Sequence, residues 1–186
     1  MVRTTPARGS WTRWLLQRWP TALAVAPAAL ILTGPEAETD VVELLPLLPL
    51  EYLIVAKLQR RQATWPVITV AFVATIALQE LDVVPPSTVF AAVALVVLVW
   101  GAVDGQLLRP GAFRVQALGM LGFGALALVG LVVEPDLGRY LVAAGWFLHG
   151  VWDFVYFKLD KVVARSYAEW CGVVDILVAA GLVFLL

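Results

Sequence analysis

The chain has 186 residues, of which 61% are hydrophobic and 15% charged, with a mean hydropathy of +0.87. An average soluble domain has roughly 45–50% apolar and 25% charged residues, so an ordinary water-soluble globule is excluded and little chain is left for one beside a membrane domain. The formal net charge of −1 selects no partner; the placement of the charges carries the information.

The first 13 residues form a flank containing Arg3, Arg8 and Arg13, and Arg18 follows with no acid between them. Trp11, Trp14 and Trp19 are interleaved, the pattern of a cytoplasmic flank ending in an interfacial aromatic anchor. Ala24-Val-Ala26 has the small-residue form of a signal-peptidase site, but Pro27 follows it directly and the charged flank is long, so an uncleaved first helix is expected. Seven apolar spans are predicted, at about 14–33, 41–58, 64–79, 87–107, 113–133, 139–157 and 167–186. Together they make one transmembrane domain of all-α class, a first helix followed by three helical hairpins. In the second span, Pro46 and Pro49 remove two backbone donors, so a kink or local unwinding is expected near Glu51.

Twelve of the 13 Lys and Arg fall in the flank and in the turns after spans two, four and six, leaving only Arg139 opposite. By the positive-inside rule the N-terminus is then cytoplasmic and the C-terminus outside. Glu36, Glu38, Asp40, Glu80, Asp82, Glu134 and Asp136 fall in the opposite turns. Basic turns with tryptophans fit anionic lipid headgroups, and nucleic acid is not expected as a partner.

The only histidine lies in Gly145-Trp-Phe-Leu-His149-Gly-Val-Trp-Asp153, and the last apolar run carries Asp175. Ionisable side chains in hydrocarbon are costly, which marks them as candidates for function. At 1.5 Å per residue, His149 and Asp175 each sit about 13–15 Å from the nearest cytoplasmic base, close to the midplane of a roughly 30 Å core. Asp153 and Asp104 precede Lys158 and Arg109 by five residues, about 7–8 Å of rise, and are expected just inside the cytoplasmic edge. His149 and Asp153, spaced i, i+4, share a helix face. A polar intramembrane centre of His149, Asp153, Asp175, Asp104 and Glu51 is therefore expected, with Trp100, Trp152 and Cys171 as secondary lining.

Trp100-Gly-Ala-Val-Asp104 with Arg109 matches His149-Gly-Val-Trp-Asp153 with Lys158 at a separation of 49 positions, which suggests a repeated two-helix unit. Duplicated units are frequent in transporters, where sites gather at the repeat interface. The third candidate copy, Leu47-Leu-Pro-Leu-Glu51 with Lys57, lacks the glycine. Gly119-Met-Leu-Gly122-Phe-Gly124 lies inside a span with no preceding strand, so close helix packing accounts for it better than a phosphate loop.

Passage or binding of a small solute or ion is the leading expectation, with proton linkage as a variant of it, since imidazole titrates near neutral pH. A non-catalytic membrane subunit or scaffold is the first alternative and a small lipid-modifying enzyme, with His149 as general base, the second. A buried hydrogen-bonded knot is the bland account of the same residues. No cofactor and no metal are expected, because one histidine without a cysteine cluster lacks the usual ligand spacings. A retinal protein is excluded, as Lys57, Lys158 and Lys161 all lie in turns and the last span has no lysine. The bilayer, anionic lipid at the cytoplasmic face, and a second copy or membrane partner complete the expected partners. Cys171, as the single cysteine, cannot form an internal disulfide.

The segment His149-Gly-Val-Trp-Asp153 with Ser166-Tyr-Ala-Glu-Trp-Cys171-Gly-Val-Val-Asp175 resembles a group of small actinobacterial-type multi-pass membrane proteins. That resemblance implies a bacterial inner-membrane location and supplies no activity.

Overall fold

The structure, a computed structural model, describes residues 18–35, 37–81 and 83–185. Arg3, Arg8, Arg13, Trp11, Trp14, Glu36, Asp82 and Leu186 lie outside the described residues, as does the whole flank of the first 13 residues. Among the described residues every regular element is helical. In chain order they are α1 (Trp19–Thr33), α2 (Ala37–Leu44), α3 (Leu47–Leu58), a short 3-10 turn (Arg61–Ala63), α4 (Thr64–Leu81), α5 (Pro86–Val103), α6 (Ala112–Val132), α7 (Pro135–Leu159) and α8 (Arg165–Phe184). Among the described residues four helical segments are long and apolar enough to cross a membrane: Arg61–Leu81, Pro86–Val103, Ala112–Val132 and Arg165–Phe184.

Local chemistry sets the helix ends. Glu134 accepts from the Leu137 amide at 3.3 Å and Pro135 occupies the first turn of α7, so that helix begins before the residue where hydropathy alone starts it. Helix α5 stops at Val103, short of the expected 107. Gly105 there takes φ +69, with Gln106 N bonding Gly101 O at 2.8 Å and Gly105 N bonding Ala102 O at 2.9 Å, a Schellman closure.

The second apolar run breaks rather than bends. Leu45 N turns to Val42 O at 3.3 Å, which frees Val41 O, and Trp146 Nε1 donates to that carbonyl at 2.8 Å. The break therefore lies at Leu45 and Pro46, upstream of Glu51, and Glu51 sits in regular helix. An unpaired carbonyl in an apolar interior would cost about 1–3 kcal/mol, so the indole of α7 stabilises the interruption in α2–α3.

Helices α3 and α8 form the centre. Every residue of α3 from Leu47 to Lys57 except Ile54 is buried, and α8 buries two thirds of its apolar window. Helices α4, α5 and α6 instead present Val70, Val73, Ile76, Leu95, Val96, Leu118 and Leu128 outward. Exposed apolar surface on this scale suits contact with lipid and not with water. On α7 the buried set Val142, Gly145, Trp146, His149, Gly150 and Asp153 repeats at three and four residues, a single stripe facing the centre. Gly150 and Gly172 allow α7 and α8 to touch there. A Cβ on Gly150 would lie 3.1 Å from the Asp175 Cβ, and one on Gly172 would lie 3.1 Å from the Asp153 Cβ.

Basic and acidic turns gather at opposite ends. At one end Arg18 pairs with Glu169 at 2.9 Å, Arg61 bonds Asp160, and Lys57 bonds Asp104. A cage of rings stands there too, with Trp65 within 6 Å of Trp19, Tyr167 and Trp170 by ring centres. At the other end Gln79 bonds Asp40 at 2.8 Å, and Glu38, Asp136 and Arg139 line one shallow cleft. The α7–α8 connection is fixed by the start of α4: Arg61 Nε donates to Val163 O at 3.0 Å, and Ala164 N donates to Thr64 Oγ1 at 3.0 Å.

Two measurements probe this frame. Gly172→Val should force α7 from α8 and lower the unfolding free energy in detergent by about 1–3 kcal/mol. For Asp160, the hydrogen bond from Arg61 holds its carboxyl below the ordinary 3.8. A depressed folded value contributes stability above the unfolded pKa and loses it as pH falls through the folded one. Acidification from about pH 5 to about pH 3 should therefore lower the melting temperature of the native protein more than that of Asp160→Asn.

Candidate functional site

The centre is built by one side chain from α3, two from α7 and two from α8. His149 Nδ1 faces Asp175 Oδ2 at 2.8 Å and Asp153 Oδ2 at 3.3 Å, so both carboxylates converge on one imidazole nitrogen. All three residues have zero solvent exposure. Cys171 Sγ lies 3.9 Å from Asp175 Oδ1, one helical turn before it. Tyr52 Oη donates to Asp153 Oδ1 at 2.5 Å, which occupies one oxygen of that carboxylate and leaves Oδ2 to the imidazole side. The rings of Tyr52 and Phe123 meet the His149 ring edge to face, at 5.7 and 5.1 Å between centres. The imidazole is thus fixed by aromatic walls on two sides.

Several polar atoms in this region have no hydrogen-bond partner among the described residues. They are His149 Nε2, Asp153 Oδ2, both Glu51 carboxylate oxygens and the Tyr167 hydroxyl. Each unpaired buried group costs about 1–3 kcal/mol, and more when charged. A cluster serving only to bind helices together would lower its energy by replacing these groups with apolar ones.

The expected residues separate into two groups. His149, Asp153, Asp175 and Cys171 meet. Glu51 is buried on α3, 1% exposed, but bonds none of them. Asp104 lies elsewhere, at the exposed end of α5, where its carboxylate takes the hydrogen bond of Lys57. It does not meet the other residues: the helix ends at Val103, and the carboxylate just beyond it turns to Lys57. Trp100 is half exposed and lies over the Lys57 ammonium, 4.5 Å from ring centre to Nζ. Ring, carboxylate and the Gln106 amide oxygen at 3.1 Å together hold that otherwise buried cation. The two matching motifs therefore occupy unlike settings: Trp100 and Asp104 secure a lysine at one end, whereas His149 and Asp153 face inward. Trp152 Nε1 donates to Gln116 Oε1 at 3.3 Å and does not touch the imidazole nitrogen.

Tyr52, Gln116 and Tyr156 are additional to the residues expected from sequence. Gln116 is 1% exposed, and its amide donates to Tyr156 Oη at 2.5 Å. The Tyr156 ring stands 5.2 Å from that of Tyr52. Tyr156 also lines a groove of about 670 Å³ at the basic end, bordered by Arg61, Arg109 and Lys161. The adjoining rings of Tyr156 and Tyr52 thus stand between this groove and Asp153. The only sequence signal for Gln116 was an amide two residues beyond Arg114 in an apolar run.

No known protein family, curated protein or solved structure matches the chain. The chemistry available is that of two carboxylates, one imidazole and one thiol in an apolar interior: electron-pair donors held close together with no lysine or arginine among them.

The Lys57 arrangement gives a test independent of the centre. Asp104→Ala should destabilise more than Lys57→Met, since it leaves an ammonium buried without its carboxylate. In a Lys57→Met background the same Asp104→Ala change should cost within about 0.5 kcal/mol of nothing, by unfolding in detergent.

Proposed function

We propose that this is a multi-pass membrane protein which binds a small cation at the His149, Asp153 and Asp175 centre and passes it across the bilayer, alone or with a solute. The carrying observation is that two carboxylates converge on one imidazole nitrogen at full burial while neighbouring polar atoms stay unpaired. Two buried carboxylates that share one imidazole, with no lysine or arginine beside them, form a site with affinity for positive charge. The groove reaching Tyr156 supports access from the basic end.

Seven crossings, with α2 and α3 as two halves of the second, accommodate the helix lengths and the collection of basic turns at one end. By the positive-inside rule that end faces the cytoplasm, and a bacterial cytoplasmic membrane is the proposed location. The resemblance of the last two helices to actinobacterial-type membrane proteins agrees with it.

Purified protein reconstituted in vesicles should carry a cation flux above that of protein-free vesicles, read with ion-sensitive dyes for protons, monovalent and divalent cations in turn. His149→Ala and Asp175→Asn should abolish that flux while eluting as folded protein in size-exclusion chromatography. Native protein that raises no cation flux, or folded variants that carry it undiminished, would overturn the proposal.

A further inference from the structure

The donor atoms of His149, Asp153, Cys171 and Asp175 all lie within 4.8 Å of one another, and all four residues are buried. They come from two helices held in contact at Gly150 and Gly172. Asp153 Oδ2 is the decisive atom: it is fully buried, accepts no hydrogen bond, and points toward His149 Nδ1 at 3.3 Å. Tyr52 occupies the other oxygen of the same carboxylate and so fixes which one faces the cluster.

We infer that these four side chains form a binding site for a divalent first-row transition metal ion, with Tyr52 orienting Asp153 from behind. This names the ion class for the centre and rests on its reading as a cation site. A four-coordinate ion lies about 2.0–2.3 Å from nitrogen, oxygen and sulfur donors, which requires donor separations of roughly 3.3–3.7 Å. His149 Nδ1 lies 2.8 Å from Asp175 Oδ2 and 3.3 Å from Asp153 Oδ2, and all four donors lie within 4.8 Å of one another, so side-chain adjustments of about an ångström bring them into that range.

Donor chemistry narrows the class further. Calcium and magnesium take mostly oxygen, with six or more ligands, whereas imidazole with a sulfur and two carboxylates suits zinc, iron(II) or cobalt(II). Charge points the same way: a divalent ion offsets the two carboxylates, and with the imidazole neutral and Cys171 bound as thiolate after releasing its proton the site carries −1 in place of −2. The sequence offers none of the usual ligand spacings because Asp153 and His149 are on one helix and Cys171 and Asp175 on the next, each pair one turn apart. Two i, i+4 pairs facing each other make a four-donor set with no short linear motif.

Cobalt(II) is the probe. The full chain, purified in detergent and stripped with a chelator, should bind one equivalent, giving visible bands of tetrahedral intensity, a thiolate-to-cobalt band in the near ultraviolet and a higher melting temperature. Cys171→Ser should retain the visible bands and lose the near-ultraviolet one. Tyr52→Phe should bind about 10–100-fold more weakly with an unchanged spectrum. The inference is overturned if saturating cobalt or zinc leaves the spectrum and melting temperature of the folded native chain unchanged. It is equally overturned if Cys171→Ser and His149→Ala bind with the native spectrum, which would put the metal elsewhere. Loss of proton or monovalent flux in His149→Ala without any metal binding would remove the metal and keep the cation reading. Metal binding without flux of any ion would keep the site and remove passage across the bilayer.

Discussion

The contact between α7 and α8 is the constraint on which the rest of the structure depends. Two helices carrying side chains at their interface stay about 8–10 Å apart. At Gly150 and Gly172 there is nothing to hold them off, and the β-carbon of each glycine's neighbouring aspartate fills the space instead. The close approach places Asp153 and Asp175 on either side of His149 Nδ1. Each glycine is next in sequence to a donor, His149 and Cys171 respectively, so the residues that close the gap and those that use it are neighbours. In a membrane interior the apolar effect gives helices little reason to associate, and close packing with polar contact must supply it.

The third contributor reaches the centre through a defect. An unbroken second helix would keep Val41 O in its own ladder. The turn at Leu45 and Pro46 releases it, and Trp146, one turn before His149 on the same stripe, captures it. The break and the centre are thus coupled through one face of α7. With α3 seated between its neighbours, Tyr52 reaches Asp153 and its ring closes one side of the imidazole. The bond polarises that carboxylate, leaving one oxygen committed and one available, and makes α3 part of the site.

How much of this was legible in the sequence depended on whether each residue lay in uninterrupted helix. Counting 1.5 Å per residue put His149 and Asp175 at one depth, and they do meet, because α7 runs unbroken to Leu159 and α8 starts at Arg165. The same count put Asp104 near the basic end, where it lies, but as the residue that caps α5 and bonds Lys57, since the Schellman closure around Gly105 ends the helix there. The helical class and the apolar segments were readable from hydropathy, as was the gathering of basic turns. Tyr52 was not: a tyrosine in an apolar run reads as packing, and only the azimuth of α3 about its axis, set by the break and by Trp146, turns its hydroxyl to Asp153. Neither was Gln116, whose partners Tyr156 and Trp152 lie 40 and 36 residues away.

A structural knot and a binding site make different demands on the same atoms. A knot gains from complete pairing, because every buried group left over is a penalty with no return. The periphery of this protein behaves that way: Lys57 has a carboxylate, an amide oxygen and an indole face, and Arg61 has a carboxylate and a carbonyl. The centre does not: His149 Nε2 and the Glu51 oxygens have no hydrogen bond among the described residues, and Asp153 Oδ2 has only the imidazole at 3.3 Å, all at almost complete burial. Apart from Arg139, the described lysines and arginines lie at the basic end, so the imidazole is the only base among the carboxylates of the described centre. Charge taken up at that point has the greatest effect on local energy, since the surrounding medium screens it least. On the proposed reading, a cation entering from the basic groove would pass the positive rim of Arg61, Arg109 and Lys161 before meeting the carboxylates, and the rim would stand as a barrier ahead of the well.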